Sequence, residues 1–169
     1  MKTDRAAERP PMRAWYAVAA TCFGVGRMTK MPGTVGTLLA FLMFILFGGI
    51  NIYVLLAVIA LGALASDRYV RAFGGGARDE AIIGAMAGYW AAAFGLDPSL
   101  SIIVFFLFRI ACVLKPFPVT RLENMPGGVG IMAGGVGCGV VVNLIVRLLS
   151  WLFFGQGFEI VLRYLGMGE

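Results

Sequence analysis

Five long apolar runs, separated by short polar or glycine-rich stretches, constrain this chain more than any motif in it. They cover residues 37–50, 52–65, 81–96, 100–114 and 131–154. None alternates polar and apolar residues as the strands of a membrane barrel do. Helices and closed barrels are the backbone solutions that satisfy every peptide group inside a bilayer. The expectation is therefore an all-α, polytopic transmembrane helical bundle of about five apolar segments. The first two runs are shorter than the ~20 residues of a spanning helix, so their ends must extend into neighbouring residues. Composition agrees: 60% of the 169 residues are hydrophobic and 14% charged, with a mean hydropathy of +0.88. Soluble domains run nearer ~45–50% apolar and ~25% charged.

The flanks differ in character. Residues 1–13 are a basic, proline-containing tail with Lys2, Arg5, Arg9 and Arg13. Residues 14–26 are modestly apolar and too short to span, which suggests an interfacial or re-entrant segment. Thr21 before Cys22 is a poor lipoprotein cleavage context. The stretch from Arg27 to Gly36 reads as a turn-rich loop, and Asp67 to Glu80 and Lys115 to Gly130 as polar loops. Residues 14–154 form the membrane domain, and residues 155–169 a mildly amphipathic tail.

Charge sets an orientation. Six Lys/Arg precede the first run, three (Arg68, Arg71, Arg78) lie between the second and third, and two (Lys115, Arg121) between the fourth and fifth. The other side carries Arg163 alone. The positive-inside rule places the N-terminus and both long loops in the cytoplasm, and the expected location is a bacterial cytoplasmic membrane. The net charge of +5 then reports topology and anionic lipid. Nucleic-acid binding is not expected, because no basic strip with interleaved aromatics is present.

Several chemistries are excluded or weakened. There is no histidine, which removes imidazole catalysis and imidazole metal ligation. Cys22, Cys112 and Cys138 form no CxxC pair and read as small apolar residues in packed helices. Two arginines interrupt apolar runs, at a cost of ~2.5–3.5 kcal/mol each at a helix centre. Arg147 reads as snorkelling to the interface. Arg109, six residues before Lys115, is a candidate to line an interior site facing the cytoplasmic loop.

Three stretches in order resemble the phosphatidylglycerophosphatase A family. They are Pro32-Gly33-Thr34-Val35-Gly36-Thr37-Leu38, then Phe108-Arg109 with Lys115-Pro116-Phe117-Pro118, then Gly127-Gly128-Val129-Gly130-Ile131-Met132. Gly88-Tyr89-Trp90 is a weaker fourth match. The resemblance runs from about residue 14 to 150. It implies a small helical membrane enzyme that removes the terminal phosphate of phosphatidylglycerophosphate, with magnesium held by acidic residues. Magnesium prefers oxygen ligands, chiefly carboxylates and phosphate. Arg109 and Lys115, with Thr34 and Thr37, would grip the phosphate.

The departures from the family pattern fall on that chemistry. The family's Asp-Glu before Gly-x-Trp corresponds to Gly84 and Ala85. Its Asp after Phe-Arg corresponds to Cys112, and its Asp-Asp after Ile-Met to Gly134 and Gly135. A shifted register offers Asp79 and Glu80, five residues early, but these also fit a solvated helix start. No acid lies between Pro98 and Leu122, and none between Asn124 and Phe158.

Three readings follow. The first is a catalytically inactive family member acting as a structural or interaction subunit that binds anionic phospholipid, with no metal cofactor. The second is an active phosphatidylglycerophosphatase with Mg2+ held by relocated ligands, Asp79, Glu80 and Glu123. The third is another membrane function that keeps the motifs for the fold alone. The glycines of 130–139 would either seal the former cavity or dock a partner membrane helix.

Overall fold

The computed structural model describes residues 14–28, 31–73, 81–114, 119–125 and 127–154; at Arg27, Phe73 and residues 152–154 it describes the backbone only. All regular structure among these residues is helical. In chain order the helices are α1 (Trp15–Ala20), α2 (Val25–Met28), α3 (Pro32–Phe47) and α4 (Ile52–Phe73). Then come α5 (Ile83–Ala93), a 3₁₀ turn (Pro98–Leu100) leading into α6 (Ser101–Leu114), α7 (Val119–Glu123) and α8 (Gly127–Phe154).

Among the described residues two helices are long and apolar enough to cross a bilayer, over Ile52–Ala72 and Gly127–Trp151. The apolar helices Pro32–Phe47 and Pro98–Leu114 are shorter. At 1.5 Å per residue, α3 and α6 reach about 24 and 21 Å against a hydrocarbon core of about 30 Å. Of the five expected apolar segments, two are thus helices of spanning length among the described residues, and the others are shorter. Glycine punctuation is one cause. The first run ends where Gly48 (φ 66°) caps α3 in the left-handed conformation, with Gly49 (φ 136°) beside it. The third ends before Gly95 (φ 65°). Such turns suit a residue without Cβ.

Other runs are longer than their apolar residues suggest. Helix α4 continues through Asp67 and Arg71, which pair at 2.8 Å with i,i+4 spacing. The first part of the expected polar loop is thus helix. Likewise α2 reaches Met28 and Pro32 opens α3, so the loop expected over Arg27 to Gly36 is mostly helical. Proline suits that first helical position because its missing N–H would be unpaired there anyway. The apolar segment 14–26 is two short helices broken at Cys22, Phe23 and Gly24, all with positive φ. The basic tail, the C-terminal tail, Asp79, Glu80 and Lys115 lie outside the described residues.

Helix α5 is the centre. Nine of its eleven residues are buried, and its length of about 16 Å is too short to span. Helices α3, α4, α6 and α8 surround it and turn Leu42, Leu46, Tyr53, Leu64, Phe106, Val113, Leu144 and Leu148 outward, all exposed. An apolar exterior around a buried, aromatic-rich core suits lipid as solvent. Tyr89 packs edge-on against Phe41, Phe44, Phe105 and Phe108 and donates to the Ser101 carbonyl at 3.1 Å. Trp90 Nε1 donates to the Ala40 carbonyl at 3.0 Å.

The α5–α8 contact is backbone on backbone. A Cβ at Gly88 would strike the Gly135 carbonyl, one at Gly135 the Gly84 carbonyl, and one at Gly139 the Gly88 carbonyl. At the far end of α5, Asn143 Nδ2 donates to the carbonyls of Ala92 (2.8 Å) and Phe94 (2.9 Å). Arg147 Nη2 also reaches Phe94 (3.1 Å), while its Nε holds Asn143 Oδ1 (2.7 Å). Arg147 therefore does not snorkel. With Asn143 it satisfies the carbonyls that a helix C-terminus leaves unpaired.

Two outcomes are expected. Gly135→Ala should destabilise by about 1–3 kcal/mol through overpacking, whereas Gly137→Ala meets mainly the flexible tip of Leu122 and should cost less. Asn143→Ala should cost about 1–3 kcal/mol by orphaning buried carbonyls. Thermal unfolding in detergent micelles, comparing all three with the parent, checks both.

Candidate functional site

A cavity of about 190 Å³ opens at the end of the bundle where α3, α5 and α8 begin and α6 finishes. Its wall includes Gly33 from α3, Gly84 and Ala85 from α5, and Arg109 and Cys112 from α6. Glu123 comes from α7, and Gly134, Gly135 and Cys138 from α8. Small side chains on helices that approach closely leave this space, and the ends of four long elements give it polar character.

Arg109 is the cationic member. It is half-buried, and its Nη2 donates to Thr34 Oγ1 at 2.6 Å. A Cβ on Gly33 would lie 3.4 Å from its Nη1. The guanidinium therefore sits against the first turn of α3, where the helix dipole already places partial positive charge. A cation placed there is unfavourable in itself, and an anion beside it relieves the repulsion. Thr37 has a different role: it is buried and its hydroxyl donates to the Gly33 carbonyl at 2.8 Å. That bond lies inside α3, and Thr37 does not line the cavity.

Glu123 is the carboxylate among the described lining residues. A Cβ on Gly134 would meet its Cβ at 3.2 Å and Cγ at 3.4 Å, so the Glu123 stem occupies the space beside that glycine. Across the cavity, the sulfurs of Cys112 and Cys138 are 3.6 Å apart. Asp67 works elsewhere: half-buried on α4, its Oδ1 accepts from the Gly128 N–H at 3.4 Å, at the N-terminus of α8. Gly127 there has φ 73°, and a Cβ on Gly128 would collide with the backbone of Ser66 and Asp67. The Gly-Gly-x-Gly stretch is thus a docking joint between α8 and α4.

The profile of the family described as phosphatidylglycerophosphatase A matches residues 18–150. The chain belongs to that family. It is also similar to a Bacteroides thetaiotaomicron protein described as a phosphatidylinositol-3-phosphatase, at 28% identity over 78% of this chain and 91% of the relative. No solved structure matches it. Family membership and the two long apolar helices identify a membrane protein.

The five positions where phosphatidylglycerophosphatase A sequences were expected to carry acids, namely Gly84, Ala85, Cys112, Gly134 and Gly135, all line this one cavity. Arg109 joins them. From the alternative ligand set, Glu123 reaches it too, while Asp79 and Glu80 lie outside the described residues, as does Lys115. The described donors do not suit magnesium. They offer one carboxylate and two thiols, where magnesium wants several oxygens in octahedral array. No group of three or more Cys, Asp or Glu suited to a metal occurs among the described residues.

Cys138 and Asn143 are the residues that motif reading missed. Cys138 lies one helical turn beyond Gly134, so its facing could be read from helical spacing. Asn143 and Arg147 are an i,i+4 polar pair in an otherwise apolar helix. A second, larger cavity of about 700 Å³ lies along α5 and is apolar, lined by Trp15, Met43, Val58, Met86 and Trp90 among others.

Anion binding beside Arg109 is open to a direct check. Glycerol 3-phosphate should raise the melting temperature of the parent protein, by about 2.7 kcal/mol of stabilisation at a hundredfold excess over Kd. Arg109→Leu should abolish the shift.

Proposed function

We propose that this chain is a non-catalytic member of its family that binds anionic phospholipid in the bacterial cytoplasmic membrane, as a structural or interaction subunit. The observation that carries this reading is the packing at Gly84 and Gly135. A Cβ on Gly84 would lie 2.7 Å from the Ile131 carbonyl, and one on Gly135 would strike the Gly84 carbonyl. Two of the family's acidic positions are therefore closed by backbone. A carboxylate could return there only if α5 and α8 moved apart.

What remains is a cationic half-site. Arg109, Thr34 and the start of α3 suit a phosphate oxygen. Lys115, six residues after Arg109, would add a second cation. The names of the family and of the Bacteroides relative share one substrate chemistry, a phosphorylated glycerolipid headgroup. Hydrolysis needs more than grip: a bound metal or a general base must activate water and stabilise developing charge. In this reading the pocket end faces the cytoplasm with the N-terminus, which the positive-inside rule supports.

The glycines of 130–139 support packing within the chain. Gly130 faces Met125, Gly134 faces Glu123, Gly137 faces Leu122, and Gly135 and Gly139 face α5. A partner helix would instead meet the outer side of α8, where Val140 and Leu144 are exposed.

A second reading has one observation in its favour, the Glu123 carboxylate in the cavity wall. In that reading Glu123, with Asp79 and Glu80, replaces the family's ligands and the protein is an active, magnesium-dependent phosphatidylglycerophosphatase. One assay separates the two. The detergent-purified protein is given short-chain phosphatidylglycerophosphate and magnesium, beside Glu123→Gln and Asp79→Ala/Glu80→Ala variants. The expected result is no phosphate release above a mock preparation. Release by the parent that disappears in the variants establishes the second reading instead. In parallel, native mass spectrometry should show phosphatidylglycerol retained over phosphatidylcholine, with retention reduced about tenfold or more in Arg109→Gln, as expected for loss of a charged hydrogen bond.

A further inference from the structure

The two cysteines of the cavity wall come from different helices and from positions 26 residues apart. Cys112 is on α6, two residues from its end, and Cys138 is on α8. Their sulfurs are nonetheless in contact at 3.6 Å. Cys112 is half-buried, Cys138 is buried, and both line the cavity. All three cysteines are free thiols. Cys22 belongs to a different environment: its sulfur lies 3.0 Å from Met86 Sδ, on the wall of the apolar cavity. The lipid-binding reading makes no use of the Cys112–Cys138 pair.

We propose that Cys112 and Cys138 are a reversible oxidation site, which a small peroxide entering the cavity converts to a disulfide joining α6 to α8. The cavity exceeds the volume of several waters, so hydrogen peroxide fits. Cys112, on the less buried of the two residues, attacks one peroxide oxygen. The O–O bond breaks, the other oxygen leaves as hydroxide and takes a proton to become water, and Cys112 becomes a sulfenic acid. The Cys138 sulfur then attacks the Cys112 sulfur. An S–S bond forms, the S–O bond breaks, and the departing hydroxide takes a proton to give a second water. Two thiols lose two electrons, and one peroxide becomes two waters.

Contact between the sulfurs is what makes the second step faster than further oxidation of Cys112, because the resolving thiol is already in place. In a reducing compartment the bond would be transient, as sensing disulfides are. The product ties the end of α6 to α8 across the pocket wall and fixes the helix that carries Arg109. Formation of the bond does not depend on whether the pocket binds lipid.

The test uses the full-length protein in detergent micelles. After titration with hydrogen peroxide, the protein is denatured, alkylated with N-ethylmaleimide and weighed intact. The unoxidised protein should carry three adducts, one per cysteine. Oxidised protein should carry one, with a peptide map linking the segments that contain residues 112 and 138, and dithiothreitol should restore three. Cys22→Ser should fall from two adducts to none, which keeps the test valid if Cys112→Ser or Cys138→Ser fails to fold. The proposal is overturned if three adducts persist under peroxide, if Cys22 is found in the linkage, or if Cys112 accumulates as sulfinic acid without a crosslink.

Discussion

The approach of α5 to α8 is the contact on which the rest depends. Gly84, Gly88, Gly135 and Gly139 put backbone against backbone, a distance that any side chain at those positions would forbid. In a bilayer, apolar side chains gain little by leaving lipid for protein, so close packing and interhelical hydrogen bonds supply the association. The glycine seam provides the first, and Asn143 and Arg147 at the far end of α5 provide the second. An eleven-residue helix too short to span is thereby held at the centre of the bundle.

The same seam decides what the pocket can do. It brings the expected acidic positions of the family to one place and fills two of them with neighbouring backbone. Stability and chemistry are opposed here. Clustered carboxylates without a metal are costly to bury, while small residues permit contact. The positive charge of the pocket comes from Arg109, bonded to Thr34 at the start of α3. A cation at the positive end of a helix favours an anion beside it, and a membrane surface supplies anionic headgroups.

Cysteine at position 112 shows how one residue sets the options of a site. A thiol is a poor magnesium ligand, but beside a second thiol it gains redox chemistry that a carboxylate lacks. The pair arises because α8 places Cys138 one turn beyond Gly134, opposite the end of α6. Neither cysteine suggests this in isolation, and their separation in the chain conceals it.

Much was legible without coordinates. Composition and the apolar runs are enough to require helices in a membrane, because that solvent leaves few ways to satisfy the backbone. Three ordered motifs and the weaker Gly88-Tyr89-Trp90 match carry the family resemblance, and their register names Gly84, Ala85, Cys112, Gly134, Gly135 and Arg109, which the fold gathers around one cavity. Local patterns could not supply the lengths of the helices. The second apolar run continues as helix through Asp67 and Arg71, with Tyr69 buried between them, whereas Gly48 and Gly95 end others early. Nor could they tell that Arg147 turns inward, that Thr37 spends its hydroxyl on its own helix, or that Cys112 touches Cys138. Those outcomes belong to tertiary structure. They depend on which helix lies opposite, and that is settled by backbone contacts between glycines far apart in the chain.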